Sequence, residues 1–270
     1  MSTAPAKQNT PAATAPSTPD PSRGIFETLL VADGEPVELA AHLARLGASL
    51  EALYGAGPPR RLGAQVREQA SGLALARLRI VVAPAPAAGT ADRADGTAWS
   101  VDVTAAVVDP GDVFPSRERA AELRTLSHEG GMGRHKWADR RLLDRVAAPA
   151  VPLLLDRGDE VLEGGRANLF AVRDGALFTP ADDGRILPGI ARAGAIAAAR
   201  EAGIEVNEKR LTRTDLLTAE EVFLTGSVRG VEPAGTLDGE PLPPATALSE
   251  RVAAGLRRRW RTGRLAAAGS

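Results

Sequence analysis

An α+β fold divided into two units is what the sequence predicts, and three features point to it. Short β-type segments are broken by only a few helical stretches, which argues against a doubly wound parallel sheet. A run from Asp109 to Gly133, poor in periodic apolar signal and rich in Gly, Ser and charged residues, separates two more regular halves. No internal repeat is visible, so a solenoid or propeller is not indicated. The halves are expected as a small N-terminal α/β domain over 23–110 and a larger β-rich domain over 131–270. Residues 111–130 would connect them and 1–22 would form a disordered leader.

Ile25–Val31 alternates and branches like a strand, and Ala32-Asp33-Gly34 is a turn signal. Leu39, Leu43, Leu46, Leu50 and Leu53 then recur at three- and four-residue steps, the apolar stripe of a helix, with Gly55 as its stop. A weaker helical pattern covers Arg61–Ser71. Strands are expected over Leu78–Ala83 and Ala98–Val108, joined by a Pro/Ala/Gly loop. Beyond the connection, Lys136 to about Val146 reads as helical. Strands follow at Val151–Asp156, Ala167–Val172, Ala176–Thr179, Ile204–Asn207 and Val222–Thr225. An Ala-rich helix is expected from Ile190 to Ala202, stopped by Gly203, and Arg251–Arg264 reads as a terminal surface helix.

The composition removes several classes of function. Net charge is −1, so the whole chain offers no basic surface for nucleic acid or an anionic membrane. Cysteine is absent, which excludes disulfides, thiolate catalysis and zinc–thiolate sites. His42, His128 and His135 are too few and too scattered for a histidine metal site, so no metal is expected. No apolar run reaches the ~20 residues of a membrane helix. The leader has neither the apolar core of a signal peptide nor the arginines of a transit peptide, and a cytoplasmic protein is expected.

Of 33 Lys plus Arg, only Lys7, Lys136 and Lys209 are lysine. Arginine can replace lysine as a surface charge but stays protonated and forms no Schiff base. A lysine whose amine does chemistry is the one such a chain keeps. Lys7 lies in the leader and Lys209 within Glu208-Lys209-Arg210, which leaves Lys136. Gly130-Gly131-Met132-Gly133-Arg134-His135-Lys136-Trp137 is not a P-loop, because Trp137 stands where Ser or Thr must follow the lysine.

Four other places are weak alone. Leu187-Pro188-Gly189-Ile190 opens the Ala-rich helix, whose free amides suit a phosphate, though a plain turn is the commoner meaning. Thr225-Gly226-Ser227 is a second possible anion cradle or an ordinary strand-to-turn junction. Glu163, beside Gly164 and Gly165 and close to Asn168, reads as a solvated turn unless a flat ligand approaches its carboxylate. Arg45 on the Leu-striped helix is a surface charge unless it holds an anion. Their order is more telling than any one of them. A lysine, a carboxylate 27 residues later and two phosphate-type turns after separate strands are the parts of a pyridoxal phosphate (PLP) pocket.

Residues from about Ile25 to Gly239 resemble the class IV (fold type IV) aminotransferases. The resemblance is carried by Val161 to Phe170 (Val-Leu-Glu-Gly-Gly-Arg-Ala-Asn-Leu-Phe), Thr179-Pro180, Ile186 to Arg192 and Glu221 to Ser227. It implies a two-domain, D-amino acid aminotransferase-like fold, a homodimer, and a small amine or amino acid as substrate. By position, Lys136 would carry PLP as a Schiff base and Glu163 would face its ring nitrogen, near Asn168. Arg45, the amides of Ile190 and Ala191, Gly226 and Ser227 would hold its phosphate. Ala191 stands where the family commonly has threonine, so one hydroxyl contact is missing.

Within the family the chain looks most like 4-amino-4-deoxychorismate lyases, the alternative being a transaminase of D- or branched-chain amino acids. Thr28 in Phe26-Glu27-Thr28 replaces the glycine of branched-chain enzymes, and Arg141 stands where those enzymes carry tyrosine. The short start before Phe26 resembles lyase domains fused to aminodeoxychorismate synthase. Thr28 would handle a proton on the leaving group, and Arg134, Arg140 and Arg229 are candidates for substrate carboxylates.

Overall fold

The structure, a computed structural model, describes residues 18–85, 92–94, 97–243 and 247–267. The first sheet is antiparallel throughout. Its strands are β1 (Ile25–Ala32), β2 (Glu35–Pro36), β3 (Leu75–Pro84), β4 (Asp92–Ala94) and β5 (Thr97–Val107), in the order β2-β1-β3-β5-β4. Asp33 and Gly34 both take positive φ, the conformation a two-residue hairpin loop needs between β1 and β2. Helices α1 (Leu39–Tyr54) and α2 (Leu62–Ala70) cover one face. No side chain caps α1; its apolar stripe holds it, with Leu46 and Leu50 buried against Leu29, Leu78 and Ile80. Gly55 ends it in the left-handed conformation.

Alternation along β1 sends side chains two ways. Ile25, Leu29 and Val31 enter the core under α1, and Glu27 shares that register. Phe26 and Thr28 face a cavity on the other side.

The second sheet contains β6 (Ala121–Ser127), β7 (Val151–Asp156), β8 (Glu160–Gly164), β9 (Asn168–Arg173), β10 (Ala176–Thr179), β11 (Val206–Glu208), β12 (Leu211–Thr212), β13 (Glu221–Gly226), β14 (Gly230–Leu237) and β15 (Glu240–Pro241). Its order is β11-β10-β9-β13-β14-β6-β7-β8-β12, with β15 on β14. The pairs β10–β11, β14–β6 and β6–β7 are parallel and the rest antiparallel, an α+β pattern as the sequence predicts. Although β8 and β9 stand well apart in this order, a bridge between Gly164 and Ala167 joins their ends, so the sheet curls. Helices α3 (Ile190–Glu201) and α5 (Ala247–Ala267) pack on one face over the stacked rings of Phe170 and Phe223, while α4 (Arg213–Leu217) caps itself through Thr212 and Asp215.

Several expectations change. The connection expected over 111–130 contains β6, whose buried Ala121 and Leu123 are too short an alternation to stand out. The helix expected from Lys136 does not form. Residues 136–138 instead run beside β1, with Phe26 N–H donating to Lys136 O at 2.8 Å and Ala138 N–H to Gly24 O at 3.0 Å. These bonds satisfy backbone groups at the end of β1 that would otherwise be buried and unpaired. Only a 3₁₀ turn, Leu143–Arg145, is helical there. The turn expected around Glu163 is strand β8. Helix α5 is exposed on one face only: Arg251, Arg257, Arg258 and Arg259 lie at the surface, while Val252, Ala253, Leu256 and Trp260 are buried in the core. Of the leader, residues 1–17 lie outside the described residues, while Pro21–Arg23 forms a 3₁₀ turn and Asp20 N–H donates to Asp139.

Gly24, just before β1, has φ 76°, and a Cβ there would lie 2.1 Å from the carbonyl oxygen of Val82. Gly24→Ala is therefore expected to cost about 1–3 kcal/mol and to loosen the Lys136 segment. A urea midpoint equal to that of the wild type would contradict this account.

Candidate active site

A cavity of about 460 Å³ opens between the two sheets. Lys136 reaches it from the segment paired with β1, and its neighbours are tied down as well. His135 Nδ1 lies 3.0 Å from Ser49 Oγ, and Trp137 Nε1 donates to Met132 O at 3.1 Å. Burial pulls the Lys136 amine down to about 8, against the opposing pull of Glu27 and Glu163.

Glu163 stands at the end of β8, buried, on the cavity wall. Its Oε2 accepts from the Leu187 amide at 3.1 Å and from Asn168 Nδ2 at 3.3 Å. Oε1 accepts no hydrogen bond among the described residues. Burial pushes this carboxyl up to about 8, partly countered by the Leu187 amide and by Lys136. Asn168 also donates to Leu187 O at 3.0 Å, and it lies so close to the next turn that a Cβ on Gly189 would be 1.9 Å from its Oδ1. Glycine is thus required where α3 begins.

At the start of α3, Gly189 offers no side-chain cap, and the amides of Ile190, Ala191 and Arg192 precede the first intrahelical bond, Ala193 N–H to Gly189 O. Ile190 and Ala191 line the cavity, as do Thr225, Gly226 and Ser227 at the β13–β14 turn. The Thr225 hydroxyl is buried there without a hydrogen-bond partner. Arg45 approaches from α1: Nε and Nη2 donate to the two oxygens of Glu27 at 2.8 and 2.7 Å, and Nη1 donates to Pro188 O at 2.9 Å.

The remaining sequence candidates divide. Thr28 and Arg140 face the cavity, Arg140 with its guanidinium 5.6 Å from the Phe26 ring and a hydrogen bond to Gly165 O. Arg229 lines it too, but is held by Asp112 at 3.1 Å and Glu232 at 2.9 Å. Arg134 is exposed and lies outside the cavity. Sequence reasoning missed Arg77 and Arg79 on β3. Ala76, Leu78, Ile80 and Val82 are buried, so alternation puts both arginines on the cavity face, opposite Leu30 and Thr28 of β1. That period was readable in the sequence.

A free carboxylate oxygen, an amine held near neutrality, an orphan hydroxyl and helix-end amides around one cavity are the groups a flat, phosphorylated, carbonyl-bearing cofactor would occupy. The sequence pattern of the family described as Amino-transferase class IV matches residues 24–235. The chain belongs to the class IV aminotransferases. The family is PLP-dependent, and the fold is that of its fold type IV members.

As a class IV member the chain is similar to the branched-chain-amino-acid aminotransferase of Salmonella typhimurium, 44% identical over 87 residues. That stretch is 32% of this chain and only 28% of the relative's length. Among solved structures it is similar to a Legionella pneumophila protein provisionally named 4-amino-4-deoxychorismate lyase, with a TM-score of 0.73, 21% identity, and coverage of 92% of this chain and 97% of that one. It is similar also to a hypothetical aminotransferase of Mycobacterium tuberculosis in its PLP-bound form, with a TM-score of 0.74, 24% identity and 90% of each chain covered. No helix among the described residues is long and apolar enough to cross a membrane.

A lysine amine attacks a carbonyl only when unprotonated. With the Lys136 amine at about 8, the reactive fraction grows about tenfold per pH unit below that value and levels off above it. PLP capture by the apoprotein, followed by the new absorbance near the visible edge, is expected to speed up to about pH 8 and then flatten. Lys136→Ala is expected to retain no borohydride-fixed cofactor. Capture that kept accelerating to pH 10 would mean a lysine with the ordinary solvent-exposed value.

Proposed function

We propose that this enzyme is a lyase that converts 4-amino-4-deoxychorismate to 4-aminobenzoate and pyruvate. The observation that carries the reading is a basic wall of the cavity beside Phe26. Arg79 and Arg140 lie 3.9 and 5.6 Å from the centroid of the Phe26 ring, and neither forms an ion pair among the described residues. Burial above all, with a neighbouring arginine (Arg77 for one, Arg79 for the other), holds both guanidiniums below their usual range against the pull of Asp102 on Arg79 and of Asp144 and Glu163 on Arg140. Partly desolvated cations without a direct ion pair are costly, and a substrate carrying two carboxylates would supply one. An apolar branched-chain side chain would not, whereas a 2-oxoglutarate co-substrate would, so the need for a keto acid is what separates the lyase from a transaminase.

Lys136 would hold the cofactor covalently, with Glu163 at its ring nitrogen and Arg45, Ile190, Ala191, Gly226 and Ser227 at its phosphate. Bound there, PLP supplies an electron sink for the carbon bearing the substrate amine. The substrate's amine would displace Lys136 from the cofactor, and the freed Lys136 amine would take the ring proton on the carbon that bears the substrate amine. Glu163 would keep a proton shared with the cofactor's ring nitrogen. The C–O bond to the enolpyruvyl group then breaks, the released enol takes up a proton to become pyruvate, and the ring is left aromatic. Thr28, across the β1–β3 register from Arg79, would handle the proton of the leaving group.

A transaminase of D- or branched-chain amino acids is the second reading, supported by the name of the Salmonella relative. The same reading of the family takes the protein as a homodimer, supported by Val107, which is 89% exposed beside the cavity rim. A monomer mass by light scattering would remove that part.

Incubated with 4-amino-4-deoxychorismate, the PLP-loaded protein is expected to release pyruvate and 4-aminobenzoate with no keto acid added. Turnover only with 2-oxoglutarate or pyruvate would favour the transaminase. Arg79→Gln and Arg140→Gln are each expected to raise KM by about 10- to 100-fold, the loss of one charged hydrogen-bonded contact, with a smaller change in kcat. Unchanged KM in both would remove the basic wall from the argument.

A further inference from the structure

Glu27 is an acid where the fold asks for an apolar side chain. Its register neighbours Ile25, Leu29 and Val31 form the core under α1, and Glu27 itself is 1% exposed. Both of its oxygens are committed. Oε1 accepts from Arg45 Nε at 2.8 Å, and Oε2 accepts from Arg45 Nη2 at 2.7 Å and from His42 Nδ1 at 2.8 Å. His42 is buried as deeply, and burial keeps its ring below the usual range, hence neutral. Nδ1–H donates to the Glu27 carboxylate, and Nε2 is left buried without a partner among the described residues. The imidazole is thus given over to holding the carboxylate.

The carboxylate in turn fixes the guanidinium. Three of the five N–H groups of Arg45 are engaged, two by Glu27 and one by Pro188 O, which lies 143 residues away in sequence and just before Gly189. One N–H on each terminal nitrogen remains, and the bond to Pro188 sets the guanidinium beside the entrance of α3, where the amides of Ile190 and Ala191 are free. We propose that Glu27 is a positioning residue, whose buried carboxylate orients Arg45 so that its two remaining N–H groups and the α3 amides converge on the cofactor's phosphate. The proposal rests on the reading that this phosphate sits at α3.

Simple electrostatics gives the opposite sign. Removing a negative charge next to Arg45 would strengthen an anion site, whereas loss of orientation weakens it. A purely structural pin between β1 and α1 would affect phosphorylated and unphosphorylated ligands alike. PLP and pyridoxal, which lacks the phosphate, are therefore titrated into the apo forms of wild type, Glu27→Gln, Arg45→Gln and the double variant. Glu27→Gln is expected to raise the Kd for PLP about tenfold, the scale at which losing a supporting hydrogen bond weakens a bound group. Pyridoxal should change by less than about twofold, and the double variant should bind PLP no worse than Arg45→Gln alone, the coupling that a double-mutant cycle detects. Tighter or unchanged PLP binding, an equal loss with pyridoxal, or additive losses would each overturn the proposal. If Arg45→Gln leaves the preference for PLP over pyridoxal intact, the phosphate reading itself fails at Arg45. Should Glu27→Gln not fold, Glu27→Asp, too short to span both Arg45 nitrogens, is held to the same outcomes.

Discussion

The end of β1 has to serve two environments. On its core side it carries an acid that must be neutralised where no water reaches, and on its cavity side it supplies the ring and hydroxyl of Phe26 and Thr28. Its backbone, moreover, is the ledge against which residues 136–138 pair. Lys136 has no helix or long strand of its own to position it. Its direction comes from two hydrogen bonds to Gly24 and Phe26 and from side-chain bonds of its neighbours to Ser49 and Met132. The fixed point of the site is therefore the β1 edge, and the curled second sheet brings Glu163 and the two anion cradles to it.

Burial then sets the chemistry. The same desolvation lowers the Lys136 amine to about 8 and raises the Glu163 carboxyl to about 8, because it penalises the charged form of each. Neither is locked in one protonation state near neutral pH. Glu27, just as deeply buried, is held at about 2, since the hydrogen bonds from His42 and Arg45 outweigh desolvation. The contrast between the two acids is one of partners, not depth. Glu27 has charge-assisted donors on both oxygens, and Glu163 has two neutral donors on one.

Much of the fold was legible because its signals are local. The Leu stripe of α1, the Ala-rich α3 and most strands need only their own periodicity. What failed depends on tertiary partners. β6 and β8 show too few alternating residues to be recognised alone, and the Lys136 segment is shaped by a strand more than a hundred residues earlier. Among the candidate residues, Lys136, Glu163 and the two turns were singled out by their order along the chain and Arg45 by the family resemblance, and the structure gathers them around one cavity. Glu163 was misjudged locally as a turn because its strand ends in two glycines. Glu27 passed as part of an apolar strand, since nothing in the sequence distinguishes an acid facing a core from one facing water.

The arginines show why residue type alone carried little. Thirty of them make any single one uninformative in sequence. In space they separate by partner. Arg185 sits among Asp156, Glu160 and Asp183 at 2.6 to 2.8 Å, which raises its already high value further and leaves it no capacity for a ligand. Arg229 and Arg166 share Glu232. Among the described residues Arg79 and Arg140 form no ion pair, with Asp102 and Asp144 acting on them only from a distance, and both face the cavity. A fold that retains unpaired cations in a partly dry wall forgoes stability there, and an anionic ligand is the natural partner for that charge. In an arginine-rich chain it is the partners of each guanidinium, which only the folded arrangement reveals, that set Arg79 and Arg140 apart from Arg185.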